Sequence, residues 1–206
     1  MDTKSIKTLL QNRVPKEIGS YKRNSVMILL YEENDEIYLI LEKRALNLRH
    51  QPGDICMPGG KIEKGETPIE AAIRETVEEL GIDKEDLEVY SAMDYLITPF
   101  SVIMYPFVAK IKELKDTYSK DEVDSLIKVP LTFLLENEPI YHEGELIVDR
   151  GENFPYHLIR GGKDYKFSKC IYPTYFYVWK ENVVWGHTAR IIYEFINIIK
   201  KENKPS

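Results

Sequence analysis

The 206-residue chain contains two cysteines, Cys56 and Cys170, and no C-x-x-C pair. A disulfide framework and a cysteine zinc site both require more cysteine than this, so reduced thiols are expected. No apolar run reaches the roughly 18 residues of a membrane-spanning helix, and the first residues, MDTKSIKTLLQNRV, carry charges where a signal peptide would be apolar. These absences predict a cytoplasmic protein without a membrane segment.

The sequence also lacks a basic character. Its formal net charge is -6 at pH 7, whereas a general nucleic-acid binder needs a basic surface, so no nucleic-acid partner is expected. The composition, 43% hydrophobic and 30% charged, is that of an ordinary soluble domain. We expect one domain over residues 1–206, with an N-terminal extension at 1–20 and a frayed tail at 202–206.

Apolar alternation predicts one strand pair at residues 25–31 and 36–44 and a second pair at 87–98 and 101–112. Other predicted elements are short helices at 5–13 and 130–136, the latter preceded by a turn, short strands at ELIVDR, YHLIR, YKFS and YFYVW, and a terminal helix at 187–201. Mixed strands with one central and one terminal helix predict an α+β fold, arranged as an α-β-α sandwich.

The central helix is predicted within residues 60–82, GKIEKGETPIEAAIRETVEELGI. Thr67 can cap its start, Pro68 suits the first helical position, Glu70 completes a capping box, and Gly81 is a natural stop. One face is mostly apolar and consists of Ile69, Ala72, Ile73, Thr76, Val77 and Leu80. The other face is predicted to carry Glu75, Glu78 and Glu79.

Three carboxylates one helical turn apart repel each other, and a bound divalent cation would reverse the sign of that interaction. Carboxylate oxygens, with a possible backbone carbonyl from the preceding glycine turn, favour Mg²⁺ or Mn²⁺ over zinc or copper. The alternative is a solvated acidic face without a ligand, which is common on surface helices.

The spacing of the whole stretch decides between these alternatives. The seven positions are Gly60, Glu66, Arg74, Glu75, Glu78, Glu79 and Gly81. At ordinary residue frequencies, such a match arises by chance in about one chain in a million of this length. The stretch resembles the signature of the Nudix hydrolases, which cleave nucleoside diphosphates linked to another group, and departs from it at Thr76, where that family usually has an aliphatic residue.

A second motif lies upstream, in LILEKRALNLRHQPGDICMPGG, residues 39–60. It is similar, without gaps, to the stretch before the signature in the coenzyme A pyrophosphatase subgroup, through Arg44, Arg49, Gly53 and the Pro-Gly-Gly that ends at Gly60. The subgroup usually has threonine, serine and phenylalanine at the positions of Glu42, Ala45 and Met57.

A third stretch, residues 172–196, is similar to the subgroup's segment between the last strand and the final helix. Its Tyr172 and Trp185 can fill the core or stack on a substrate, and the tendency of aromatic residues to fill interiors favours the core. The four histidines, His50, His142, His157 and His187, have no ligand spacing and are expected to be surface or core residues.

The resemblance implies a metal-dependent pyrophosphohydrolase that cuts coenzyme A or a derivative into 3',5'-ADP and 4'-phosphopantetheine. Glu75, Glu78 and Glu79 would hold Mg²⁺ or Mn²⁺ with the carbonyl of Gly60. Glu66 would support Arg74 or metal-bound water, and Arg74 would orient a helix carboxylate. The catalytic base would be Glu75, which we favour, or Glu122 from a distant loop.

The same resemblance predicts that Arg44, Arg49, Gly59 and Gly60 bind substrate. The expected partner is a small-molecule nucleoside diphosphate, and a homodimer is left open. Two other functions are compatible with the residues: a Nudix hydrolase of ADP-ribose or another nucleoside diphosphate derivative, and a non-catalytic ligand sensor with the same fold.

Overall fold

The structure is a computed structural model that describes residues 1–115 and 117–202. Two sheets organise it. The larger sheet contains β1 (Lys22–Glu33), β2 (Glu36–Arg44), β3 (Ile55–Cys56), β4 (Gly59–Lys61), β5 (Leu87–Ala92), β6 (Leu96–Ile97), β7 (Val102–Ile111) and β8 (Val123–Pro130). The smaller sheet contains β9 (Ile140–Leu146), β10 (Cys170–Trp179) and β11 (Asn182–Trp185). The helices are α1 (Thr3–Leu10), α2 (Pro68–Leu80), α3 (Leu131–Glu136) and α4 (Gly186–Glu202).

The larger sheet is mixed. Its strands follow the order β3-β2-β1-β7-β5, with β4 beside β1, β6 beside β7 and β8 beside β2. The β1–β7 pair is parallel, and the other described pairs are antiparallel. Both predicted strand pairs are confirmed, although the first strand of the second pair is interrupted between β5 and β6.

Helices cover both faces of this sheet. On one face, Ala72 and Leu80 of α2 pack in a buried cluster with Met27, Leu29 and Ile40. The opposite face packs in a second cluster that includes Ile28 and Leu41 of the sheet and Ile192 and Ile196 of α4. This two-sided burial confirms the predicted α+β sandwich, because alternate strand residues point to opposite faces, one covered by α2 and the other by α4 together with Leu134 of α3.

Local capping chemistry sets the ends of α2 as predicted. The Thr67 hydroxyl accepts from the Glu70 N–H, the Glu70 carboxylate accepts from the Thr67 N–H at 2.8 Å, and Pro68 occupies the first turn. Gly81 ends the helix with φ 61°, a left-handed conformation that glycine adopts without steric cost.

Several predicted elements in the second half of the chain are wrong. The strand β8 replaces the predicted turn, because its Val123, Ile127 and Val129 become buried by pairing along β2, a contact between distant parts of the chain. YHLIR contains a short 3₁₀ turn, and YKFS has no regular structure. The strand predicted at ELIVDR overlaps only the end of β9, whereas YFYVW lies within β10.

The chain ends also differ from the predicted boundaries. Helix α1 covers Thr3–Leu10 rather than 5–13, and none of its residues is buried. Glu202, predicted to begin the frayed tail, is the last residue of α4, and the remaining tail residues 203–206 lie outside the described residues. Within residues 1–115 and 117–202, no helix combines the length and apolar character needed to cross a membrane.

Candidate active site

Glu75, Glu78 and Glu79 of α2 do not share one exposed face. Glu78 is exposed, the Glu75 side chain is 20% exposed, and Glu79 is 7% exposed and buried. The acidic face predicted for Glu75, Glu78 and Glu79 is therefore exposed only in part, and Glu79 is buried at its edge. The Glu79 side chain lies toward the larger sheet, where its Oε2 accepts a 2.8 Å hydrogen bond from the backbone N–H of Gly59, the first residue of β4.

Burial changes the protonation chemistry of the α2 carboxylates. It raises the pKa of Glu79, against the opposing effects of the Gly59 N–H and the Arg44 charge. Burial likewise raises the pKa of Glu75, and the hydrogen bond from Arg74 opposes that rise. A nearby divalent cation would favour the charged form of both carboxylates, because its attraction for a carboxylate anion is stronger in a buried site than in water.

Arg74 joins four parts of the site. Its Nε donates to Glu66 Oε1 at 2.9 Å and its Nη2 donates to Glu66 Oε2 at 3.1 Å, a two-pronged contact. Its Nη1 lies 2.9 Å from Glu75 Oε1 and 3.2 Å from Glu78 Oε2. A further bond from Nη2 to the carbonyl of Lys61 ties the guanidinium to β4. The network holds Glu75 and Glu78 on the same side of α2, beside the glycine turn.

The two glycines of β4 allow α2 to approach the sheet closely. A Cβ on Gly60 would lie 2.4 Å from Glu75 Cδ, so the Glu75 carboxylate occupies the space that a side chain would fill. A Cβ on Gly59 would lie 2.3 Å from the carbonyl oxygen of Ser25, and Gly59 has φ 147°. Gly60 therefore leaves room for a functional carboxylate, whereas Gly59 leaves room for the backbone of β1.

Of the three other predicted site residues, Arg44 and Glu122 lie near the α2 carboxylates, and Arg49 lies on the exposed surface. Arg44 lies beside Glu79, and its charge opposes the rise in the Glu79 pKa. Arg49 is exposed. Glu122 lies in the turn before β8, where its carbonyl accepts from the Ala45 N–H at 2.9 Å, and its charge contributes to the raised pKa of Glu75 and Glu79. The structure thus brings the charges of Arg44 and Glu122 close to the α2 carboxylates, whereas Arg49 is exposed.

Two further residues of this region were not predicted. Glu42 of β2 is 2% exposed, and burial followed by the Glu79 charge raises its pKa. Cys56 faces it across the β2–β3 pair, and burial raises the pKa of the Cys56 thiol to about 12. A sequence signal for Glu42 existed, since it follows the buried residues Ile40 and Leu41 directly, but its partners come from other elements.

A cavity of about 480 Å³ opens beside the glycine turn. One side is lined by Arg44, Cys56, Gly59 and Gly60, and the opposite side by aromatic and helix-start residues from distant segments, namely Phe100, Tyr172, Trp185, Gly186, His187 and Thr188. Arg49 is not among the lining residues in the described part of the chain. A space of this size suits a small organic ligand with apolar and polar parts.

The aromatic residues of the cavity correct a prediction. Trp185 is 45% exposed rather than buried in the core, and Tyr172 is half-buried. The Tyr172 hydroxyl lies 2.7 Å from His187 Nε2, and Phe100 packs edge-on against the Tyr172 ring with centroids 5.7 Å apart. Burial lowers the pKa of His187, which favours its neutral form. These rings form a wall of the cavity because α4 begins at its edge.

The residues present fit a divalent cation by their chemistry. Glu75, Glu78 and Glu79 supply hard oxygen ligands, and Gly60 provides the space for the Glu75 carboxylate. As these side chains stand, no group of three or more His, Cys, Asp and Glu within residues 1–115 and 117–202 has the geometry to hold a metal ion. The contacts of Arg74 with Glu75 and Glu78 account for this, because the guanidinium draws both carboxylates toward itself.

Comparison with known proteins places this geometry in a family. A family model described as the NUDIX domain matches residues 21–145. The chain is 27% identical over 145 residues to Nudix hydrolase 3 of Caenorhabditis elegans, covering 65% of this chain and 59% of that protein. It is 30% identical over 148 residues to the peroxisomal coenzyme A diphosphatase ndx-8 of the same organism, covering 66% of this chain and 59% of that protein. The match thus spans less than two thirds of either relative.

Among solved structures, a MutT/nudix family protein from Enterococcus faecalis superposes with a TM-score of 0.51 at 16% sequence identity, covering 100% of this chain and 73% of that chain. At this identity the similarity supports the fold alone. The family model matches more than half of the chain, and it contains the α2 carboxylates, Arg74 and the glycine turn. The chain therefore belongs to the Nudix hydrolase family.

Proposed function

We propose that the protein is a divalent-metal-dependent hydrolase that cleaves the diphosphate of coenzyme A or a derivative, releasing 3',5'-ADP and 4'-phosphopantetheine. The proposal is carried by the two glycines of β4, which line the cavity of about 480 Å³ and also contact the α2 carboxylates: the Gly59 N–H donates to Glu79, and Gly60 lies against the carboxylate of Glu75. Nudix hydrolases generally use divalent metal ions and act on small-molecule nucleoside diphosphate substrates. The name of ndx-8 records coenzyme A diphosphatase activity for that relative, which supports this substrate class.

Glu75, Glu78 and Glu79, with the carbonyl of Gly60, would hold Mg²⁺ or Mn²⁺. When bound, the ion would neutralise charge on the diphosphate oxygens and acidify a bound water. Glu66 acts through Arg74, because its two-pronged contact fixes the guanidinium that in turn contacts Glu75 and Glu78. Gly59 fixes the carboxylate of Glu79 through its N–H.

Hydrolysis requires a base that removes a proton from the attacking water. Glu75 is the favoured candidate, because its carboxylate lies against Gly60, which lines the cavity. Glu122 remains the alternative, since its charge reaches the same carboxylates from the turn before β8. Turnover measured against pH for Glu75→Gln and Glu122→Gln separates the two, because only loss of the base removes the acidic limb.

The substrate would extend along the cavity. Arg44 on one side suits a phosphate, since a guanidinium matches phosphate oxygens, and the first residues of α4 on the other side offer a helix N-terminus that favours anions. The rings of Phe100, Tyr172 and Trp185 would contact the adenine ring or the pantetheine arm of the substrate. Gly59 and Gly60 line the cavity and would contact the diphosphate through their backbone.

The cellular setting is part of the proposal. Both cysteines are free, and reduced thiols are typical of the cytoplasm, which is where we place this single-domain protein. The name of ndx-8 places that relative in peroxisomes, so fluorescence microscopy of the tagged full chain would decide between the two compartments. A homodimer is compatible with the proposal, and sedimentation equilibrium would measure it.

A substrate panel tests the proposed activity. Coenzyme A, 3'-dephospho-coenzyme A, ADP-ribose and a dinucleotide are incubated with Mg²⁺ or Mn²⁺, and the products are identified by mass. We expect coenzyme A to be preferred and a free pantetheine thiol to appear. Preference for ADP-ribose or a dinucleotide would assign the protein to another Nudix activity, and ligand binding without turnover of any compound would favour a non-catalytic sensor.

The two arginines provide a matched pair for specificity. If Arg44 contacts the 3'-phosphate, Arg44→Ala should lower kcat/KM for coenzyme A by about ten- to a hundredfold more than for the dephosphorylated compound, as expected for a charge-assisted contact of about 1.5–3 kcal/mol. Arg49→Ala makes the same change at an exposed position. It tests the predicted substrate contact of Arg49, which is not among the residues that line the cavity. Equal losses on both substrates would place either arginine at the diphosphate or in the fold.

A further inference from the structure

Glu42 faces the metal side of the sheet from β2. Ile40, two residues earlier, packs with α2, and strand alternation puts Glu42 on the same face. Leu126, its partner across the β2–β8 pair, also packs on that face. Glu42 is therefore in the interior of the sheet, opposite the helix that carries Glu75 and Glu79.

One oxygen of the Glu42 carboxylate, Oε1, is buried without a hydrogen-bond partner among the described residues. The residue is 2% exposed, and no group within the described residues hydrogen-bonds to its Oε1 atom. A buried carboxylate oxygen in a folded protein normally has a hydrogen-bond donor or a cation beside it. The unpaired oxygen thus identifies a position at which the protein binds something other than its own side chains.

The charges around Glu42 define what that ligand is. Glu42 lies on the face of the sheet that α2 covers, and α2 carries Glu75 and Glu79, whereas Arg44, two residues further along β2, supplies a positive charge. Arg44 is shared with other groups, because its Nε also donates to the His50 carbonyl at 3.4 Å. Several carboxylates with so little cationic compensation favour a compact cation with oxygen ligands over an anion or an apolar group.

We propose that Glu42 is an additional ligand of the metal centre, supplying a carboxylate oxygen from β2 opposite the oxygens of Glu75 and Glu79 on α2. The cation would then be held between sheet and helix. This inference rests on the proposed metal-dependent function but concerns a residue outside the Nudix signature. The subgroup usually has threonine here, so the extra carboxylate distinguishes this chain's centre from the pattern that it otherwise resembles.

Direct Mn²⁺ binding tests the proposal without relying on turnover. Free Mn²⁺ is counted by electron paramagnetic resonance during titration of metal-stripped wild type, Glu42→Gln and Glu36→Gln. Glu36 lies at the far end of β2, roughly 20 Å away at ~3.4 Å per residue, and provides the same chemical change as a control. We expect Glu42→Gln to weaken the tightest Mn²⁺ site at least tenfold or to remove one ion per chain, with Glu36→Gln matching wild type.

Glu42→Met serves as a second variant, because methionine has a similar volume and no carboxylate. Circular dichroism and thermal melting of the stripped proteins show whether both variants fold, and the rise in melting temperature on adding Mn²⁺ should be smaller in both than in wild type. If Glu42→Gln and Glu42→Met bind Mn²⁺ like wild type, Glu42 is not a ligand. This outcome includes the case in which Glu42 is only a neutral acid hydrogen-bonded to Glu79, because glutamine keeps a donor.

The failure of this inference is distinguishable from failure of the proposed function. Wild type that hydrolyses coenzyme A and binds Mn²⁺ with no effect of Glu42 substitution overturns the inference alone. Wild type that binds no Mn²⁺ overturns both the inference and the metal-dependent function.

Discussion

Replacing Gly60 with alanine should remove most hydrolysis while leaving the fold intact. The added Cβ would lie 2.4 Å from Glu75 Cδ and 2.5 and 2.6 Å from the two carboxylate oxygens. All three atoms belong to the far end of a flexible side chain, so Glu75 can move away without displacing the backbone. The substitution therefore acts on the position of one carboxylate.

The size of the effect follows from the contact distances. Ordinary contact begins at 3.4 Å, so the Glu75 carboxyl carbon must shift by about 1 Å from its position 2.4 Å away. A shift of ~1 Å in a group that positions the reaction typically costs about a hundredfold in rate, or roughly 2.7 kcal/mol of barrier. The free energy of unfolding should change by less than about 1 kcal/mol, because alanine gains ~0.5–1 kcal/mol over glycine in a strand and a partly exposed ion pair with Arg74 is worth ~0–1 kcal/mol.

Two neighbouring glycines provide controls. Gly65→Ala adds a Cβ with no atom within 4 Å and should leave kcat/KM within about threefold, although its φ of 92° costs roughly 1–3 kcal/mol of stability. Gly59→Ala places a Cβ 2.3 Å from the backbone oxygen of Ser25 and should lower the free energy of unfolding by roughly 2–5 kcal/mol.

The assay measures kcat/KM on the preferred diphosphate with saturating Mg²⁺, and urea denaturation of the same preparations. Activity of Gly60→Ala within about threefold of wild type would show that the position of Glu75 is not required for catalysis. A loss of unfolding free energy as large as that of Gly59→Ala would show instead that Gly60 serves the fold rather than the site.

Three further results are expected. Excess chelator should abolish hydrolysis, added Mg²⁺ or Mn²⁺ should restore it, and full turnover in chelator would contradict the metal mechanism. For the metal-free protein, the raised pKa of Glu79 means that the folded state binds more protons than the unfolded chain above the ordinary glutamate pKa, so stability falls as pH rises. Glu79→Gln should make the stability of the metal-free protein less dependent on pH, and its melting temperature at pH 7 without metal should be no lower than that of wild type. Its turnover should fall more than threefold. An unchanged pH dependence of the melting temperature would refute the role of Glu79 in this pH dependence. Thr76 is fully buried and its hydroxyl donates to the Ala72 carbonyl at 2.7 Å, so Thr76→Val should change the free energy of unfolding by less than about 1.5 kcal/mol, and a larger loss in urea denaturation would show that this bond is required.

The central helix could be predicted from sequence because its signals are local. Thr67, Pro68, Glu70 and Gly81 act on backbone groups within a turn of themselves, so their effect does not depend on the rest of the fold. The strand β8 and the irregular segment after β9 could not be predicted in this way, because β8 is stabilised by pairing with β2, some 85 residues earlier.

The burial of Glu79 shows where helical periodicity stops being informative. A helical wheel separates apolar from acidic positions, but it contains no information on tertiary contacts such as the hydrogen bond from the Gly59 N–H of β4 to Glu79. The prediction that the aromatic residues Trp185 and Tyr172 lie in the core is wrong for a related reason. Trp185 and Tyr172 are typical core residues by composition, and their position at the cavity depends on where α4 begins relative to the larger sheet.

The sequence by itself determined the family, the ends of α2, the glycine turn and the identity of the carboxylates, because each depends on residue type and short spacing. Only the tertiary structure decided that Arg44 rather than Arg49 lines the cavity, that Gly60 makes room for Glu75, and that Glu42 is buried on the face of the sheet that α2 covers. These facts depend on distances between segments far apart in the chain. The packing of α2 against the sheet determines such distances, and short-range sequence patterns carry no record of them.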